Sequence, residues 1–275
     1  MFNFDGKCFS SLRVAPEELL ITLTSPPIHI HHLFVFKGKI CLLEEHYFSI
    51  MATLRRFRVD IPMRYTLDYL QEQTDSLNHF NNSITDFQKL SLKFYRKNDS
   101  TISAPVTPIC FLMQIYETSW DSKKLDLTLY KDYNIFANSY SNLFQTNANL
   151  RKLGQVFAYE NGFGAALLMN NFKRMVESTH GSVFLIQKDN LQTPALSEGV
   201  VNSVFRSAFI EFLKKERKIV GVETKIPLFS VQQAQEIFLI SSHYGFINII
   251  QFRKKKFETR KAEALANEFL DYLKD

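Results

Sequence analysis

Cysteine is scarce in this chain of 275 residues: Cys8, Cys41 and Cys110 stand far apart and form no CxxC pair. Neither a disulfide framework nor a structural zinc site is expected, and the few separate thiols suit a reducing, cytoplasmic setting. Uncharged apolar runs are also short. None approaches the roughly 20 residues that a membrane helix needs, so no membrane partner is expected. The opening MFNFDGKCFSS lacks a long apolar core, and no signal peptide is read there. Charge of one sign is only mildly in excess, at +5. Its visible sources, Arg253 to Lys256 and the mixed cluster Lys214 to Lys218, read as solvated surfaces. Phe252 and Phe257 flank the first cluster, too few stacking rings for a nucleic-acid surface. Internal repeats and low-complexity segments are absent.

What the chain has is a globular balance: 45% hydrophobic and 22% charged residues, with 26 Phe and 11 Tyr spread throughout. That is enough for one large core or two moderate ones. The pattern alternates between short strands and helices. IHIHHLFVF over Ile28 to Phe36 predicts a strand, with Lys37-Gly38-Lys39 turning into a second one at Ile40 to Leu43. Helical spacing over Glu44 to Arg58 is stopped by Pro62, and Tyr65 to Phe80 predicts a second helix. Strands follow at Leu90 to Arg96 and Ile109 to Tyr116, with a turn over Lys97 to Ser103. The segment Thr118 to Lys124 reads as a link between two halves. The second half predicts strands at 125–130, 165–169, 182–187, 220–226, 237–241 and 246–252. Its helices are predicted at 149–161, 202–218, from Ser230, and at 258–273, with Asn202 and Ser230 as caps. The expected division is 1–118, a linker at 119–124, and 125–275.

The richest stretch is 165 to 206. A short apolar run leads through a polar turn to Val176-Glu177-Ser178; then come an alternating segment, a turn at Lys188 to Asn190, Thr193-Pro194, Gly199 and a helix start. With Asn3 to Lys7, Phe36 to Ile40, Leu43 to His46, Leu153 to Val156 and Ala234 to Phe238, the order and spacing resemble the class IV aminotransferases. These include branched-chain and D-amino acid aminotransferases and aminodeoxychorismate lyase, which depend on pyridoxal phosphate. The resemblance covers almost the whole chain. It implies a mixed α+β or α/β fold with two domains, a homodimer, and an amino acid, keto acid or chorismate-type substrate.

Pyridoxal phosphate chemistry needs a Schiff-base lysine, a carboxylate on the ring nitrogen and a cup for the phosphate. The resemblance places Glu177 at the ring nitrogen. Ser203, Val204 and Phe205 fall in the phosphate cup, and Ser242 falls at a second hydroxyl position. It also shows departures. Ser203 and Phe205 replace a Gly and a Thr, and Ser49 stands where the family keeps a phosphate-gripping Arg. Arg55 and Arg56 are offset along that helix by ~9–10 Å. Ala148 falls at the lysine position. Lys152 takes that role only after a shift of about one helical turn. His31 replaces the Glu of the family's substrate-pocket motif. His29 and His31 share a strand face, but no Cys or carboxylate lies close in sequence, so no metal site is expected. Two functions follow as expectations. One is family chemistry on pyridoxal phosphate, degenerate at the lysine; the other is a non-catalytic homologue that serves binding or assembly.

Overall fold

The computed structural model describes residues 1–82, 85–97, 108–120, 123–188 and 190–274. They divide into two compact units, Met1–Ser119 and Trp120–Asp275. The turn expected over Lys97 to Ser103 lies beyond Lys97 outside the described residues, as do Asp121 and Ser122 in the expected linker and Asp189 in the expected turn.

The first unit contains β1 (Phe2–Phe4), β2 (Lys7–Phe9), α1 (Glu17–Thr22), β3 (His29–Phe36), β4 (Lys39–Ile40), α2 (Leu43–Arg56), α3 (Leu67–Asn81), β5 (Phe87–Arg96) and β6 (Ile109–Glu117). Its strands form an antiparallel sheet in the order β2-β1-β6-β5-β3-β4. One face buries Leu33, Val35, Leu90, Leu92, Phe111 and Met113 against Ile50 and Leu54 of α2 and Leu70 and Leu77 of α3. Ile50 and Leu54 lie four apart and Leu70 and Leu77 seven apart, so each helix turns one apolar stripe to the sheet. Thr66 caps α3 by accepting from the Tyr69 N–H at 3.2 Å. The second hairpin strand is shorter than its sequence suggests. Leu42 adopts a left-handed φ of 55° and starts α2 at Leu43.

The second unit contains β7 (Lys123–Leu129), α4 (Ala148–Glu160), β8 (Ala165–Met169), β9 (Met175–Ser178), β10 (Ser182–Gln187), β11 (Asn190–Pro194), α5 (Val204–Glu216), β12 (Glu223–Thr224), α6 (Leu228–Gln233), β13 (Glu236–Ser241), β14 (Gly245–Phe252), β15 (Lys255–Lys256) and α7 (Arg260–Lys274). A long mixed sheet runs β12-β11-β10-β13-β14-β7-β8-β9, with β15 on β14. Here β7 pairs in parallel with β14 on one side and β8 on the other. One core gathers Leu127, Leu167, Val183, Leu239, Ile247 and Ile249. On α5 and α7, Phe205, Phe209, Phe212 and Phe269 interlock with Phe184, Phe238 and Phe246 of the sheet. Glu236 fixes the start of α7 by accepting from the N–H groups of Lys261 and Ala262 at 3.0 and 2.8 Å.

Several local expectations are corrected. Ser203, not Asn202, caps α5; its hydroxyl accepts from the Arg206 N–H at 3.3 Å. Ser230 is the third residue of α6, whose cap is Pro227 with its preset φ of −63°. The expected strand at 220–226 shrinks to the edge pair Glu223–Thr224. β9 and β11 were not expected as strands. All four residues of β9 are buried, so no polar–apolar alternation marks it.

Candidate functional site

Glu177 ends in the middle of β9 with 3% of its surface exposed. Burying a carboxylate requires partners, and the chain supplies its own. Nε of Arg151 donates to Oε1 at 2.7 Å, Nη2 lies 2.5 Å from the same oxygen, and Nη1 donates to the Phe144 carbonyl at 2.6 Å. The second oxygen, Oε2, accepts the Val201 N–H at 3.3 Å. The guanidinium, 5% exposed, also lies over the Phe144 ring at 4.9 Å.

Local sequence explains why Arg151 arrives there. On α4 the buried residues are Leu150, Arg151, Gly154 and Ala158, one stripe spaced three, four and seven apart. Gly154 brings this stripe against the sheet. A Cβ there would sit 3.1 Å from the Thr179 methyl and 3.2 Å from a Leu168 methyl. Lys152, one position on, is rotated by about 100° and is exposed. Ala148 opens the same helix, half-buried, one turn before Arg151.

Beside this pair the polar groups are also mutually satisfied. Thr179 donates to Gln155 Oε1 at 2.8 Å and accepts from the Ala166 N–H. His180 stacks on Tyr244 at 4.4 Å; burial, helped by Lys123, pushes its pKa down to about 4. In the turn before Tyr244, the Ser241 hydroxyl accepts from the N–H groups of His243 and Tyr244 at 3.1 and 3.3 Å, and Ser242 is half-buried. At the start of α5, Val204 and Phe205 turn their side chains into the core, with 7% and 0% exposure. Arg206 is spent on the Pro194 carbonyl and Glu223, at 2.8 and 2.7 Å. The structure thus brings Glu177 to the segment preceding α5, while the side chain of Lys152 lies on solvent.

In the first unit, the half-buried His31 links two buried imidazoles, His29 and His46. Its Nδ1 lies 3.2 Å from Nε2 of His29, and its Nε2 lies 2.7 Å from Nδ1 of His46 on α2. Burial lowers the pKa of His29 to about 4 and that of His46 to about 3. His31 is held well below the ordinary range by burial first, then by His46, His29 and His32. Among the described residues, no group of three or more His, Cys, Asp or Glu is arranged to hold a metal ion. Ser49, also on α2, gives its carbonyl to the Thr53 hydroxyl, and Arg55 and Arg56 are exposed.

Sequence reasoning missed Arg151 and His46 as site residues. The signal for Arg151 was present. Of two adjacent cations, it is the one in register with Gly154 and Ala158.

The fold has close counterparts. A branched-chain aminotransferase from Thermoproteus uzoniensis, solved with norvaline, matches with a TM-score of 0.84 over 99% of this chain and 94% of its own, at 14% identity. Another, from Thermobaculum terrenum in its PLP form, matches with 0.78 over 89% and 84%, at 16% identity. A putative 4-amino-4-deoxychorismate lyase from Legionella pneumophila matches with 0.76 over 89% and 90%, at 19% identity. At these identities the likeness is one of fold, a two-sheet mixed α/β architecture. In sequence, a probable branched-chain-amino-acid aminotransferase of Aquifex aeolicus (strain VF5) is 25% identical over 104 residues, 38% of this chain and only a third of that relative's length. No helix of the described residues is long and apolar enough to cross a membrane. The family model for amino-transferase class IV matches residues 32–252, most of the chain, and on that match this chain belongs to the class IV aminotransferase family.

Proposed function

We propose that this chain is a non-catalytic class IV aminotransferase homologue, kept for a binding or assembly role as a homodimer. One observation carries the reading: Arg151 occupies the carboxylate that the cofactor ring would need. A protonated pyridine nitrogen on Glu177 would gain a charge-assisted hydrogen bond of about 1.5–3 kcal/mol. It would also place a second cation beside the guanidinium, and at ~4 Å and an effective dielectric of about 20 that repulsion is about 4 kcal/mol. Expelling Arg151 instead would leave a buried charge unpaired, at about 3–5 kcal/mol. Both routes disfavour the ring, so the residues present do not fit pyridoxal phosphate. A lysine is wanting too: Ala148 stands at the expected position, and Lys152 points to solvent.

The test is direct. The purified protein is incubated with pyridoxal phosphate, reduced with borohydride, and its peptides are weighed. Absence of both visible Schiff-base absorbance and a reduced adduct is the expected result; an adduct on Lys152 or any other single lysine sinks the reading. A second reading is family chemistry on an amino acid, keto acid or chorismate-type substrate. It draws on the family match and on the survival of Glu177 and of Ser242 at a hydroxyl position.

A further inference from the structure

The second unit also holds a groove of about 300 Å³ at the far end of α5 from Ser203. Those 13 helical residues put about 20 Å between the two ends, so the groove is separate from the Glu177 region. Its floor is apolar: Ile186 of β10, Leu191 of β11, Ile219 after α5 and Leu265 of α7. Its rim is cationic: Lys188 just beyond β10, Arg217 at the end of α5 and Lys261 in the first turn of α7.

The rim is held in place by the backbone around it. Lys188, at a left-handed φ of 57°, donates its N–H to Gln235 Oε1 at 2.6 Å and receives the Lys261 ammonium on its carbonyl at 2.9 Å. Arg217 gives one nitrogen to Glu268 at 2.7 Å and has further N–H donors in its fork. Among the described residues, Glu268 is the carboxylate that competes at this rim, through Arg217. An apolar floor with a few converging polar groups, at the small end of the usual 300–1,000 Å³, is the general form of a small-molecule site. A polyanion would leave the floor uncovered, and a neutral hydrocarbon would desolvate the charged rim without adding a counter-charge.

We propose that this groove binds a small amphipathic anion, a carboxylic or sulfonic acid on a flat hydrocarbon body. The acid meets Lys188, Lys261 and Arg217, and the hydrocarbon covers Ile186, Leu191, Ile219 and Leu265. The probe is anilinonaphthalene sulfonate, followed by fluorescence on the intact chain, with uncharged N-phenylnaphthylamine as control. Saturable one-site binding of the sulfonate is expected, weakened about tenfold or more in Lys188→Glu/Lys261→Glu. N-phenylnaphthylamine binding stays unchanged in that variant. Ala264→Trp, which fills the groove, abolishes both. If the charge-reversed variant loses its near-UV signal, Lys188→Gln/Lys261→Gln replaces it, and a clear loss of sulfonate affinity is still required. Sulfonate binding that is unchanged in either kind of variant, equal affinity for the two probes, or no saturable binding overturns the proposal.

Discussion

The two units solve one problem in opposite ways. Each buries polar groups deep in its fold. The first unit lines up His29, His31 and His46 and keeps them neutral. The second keeps full charges and pairs them, Arg151 with Glu177. Neutral imidazoles hydrogen-bond to one another without a counter-ion, but they forbid protonation. A buried ion pair forbids the loss of either partner. The difference teaches where each unit is fragile: the first toward pH, the second toward mutation or any ligand that needs one member of the pair.

The sharpest way to break this comparison is Arg151→Ala. It strands Glu177 and is expected to destabilise the second unit by about 3–5 kcal/mol, read from urea unfolding. Arg151→Met/Glu177→Leu removes both charges and is expected to recover most of that loss. If the single variant is as stable as the parent, the pair is not what holds this region.

Acid probes the other side. His29 and His46 have folded pKa values of about 4 and about 3, below the ordinary 6.5. For a depressed base, the contribution to stability is complete above the unfolded pKa. It is lost as pH falls from 6.5 toward the folded values, because only the unfolded chain takes up the proton. Each imidazole then removes up to about 1.4 kcal/mol per pH unit. Urea midpoints measured between pH 7 and pH 5 should fall, and His31→Leu should flatten the slope. A midpoint independent of pH over that range would contradict the neutral imidazoles.

Smaller effects sharpen the contrast. Ser203→Ala removes the cap of α5 and should lower thermal stability by about 1 kcal/mol. Lys152→Ala, next to Arg151 but on solvent, should change it by no more than about 0.5 kcal/mol. A large effect there would mean that Lys152 has a role its exposure does not suggest.

How much of this was legible beforehand depends on whether a residue's neighbours are local. Helices α2, α3, α4 and α7 announce themselves through apolar residues three and four apart, and β8 through a compact apolar run. Strand β9 is too short and too uniformly buried to show a period, and Pro194 at the end of β11 reads as a breaker until its parallel partner Thr224 is in place. Val220 to Ile226 shows the reverse error, since strand composition without a full-length partner gives only a two-residue edge. At the site, Glu177 was identified by resemblance. Its partner lies 26 positions away on another element, which no local pattern states. The same holds for His31 and His46, which meet only because α2 folds back on β3.

The place of β7 has a consequence for how the second unit comes into being. It is the first strand of its unit along the chain, yet it lies inside the sheet, and its partner Ile249 sits more than a hundred positions beyond Leu125. Such distant pairing slows folding, because a long loop must close before the contact rewards it. During synthesis β7 therefore waits, with one edge unpaired, until β14 has been made. A nascent chain stopped short of residue 245 would carry that open edge in place of a finished sheet, and there this unit is most exposed to joining a neighbour.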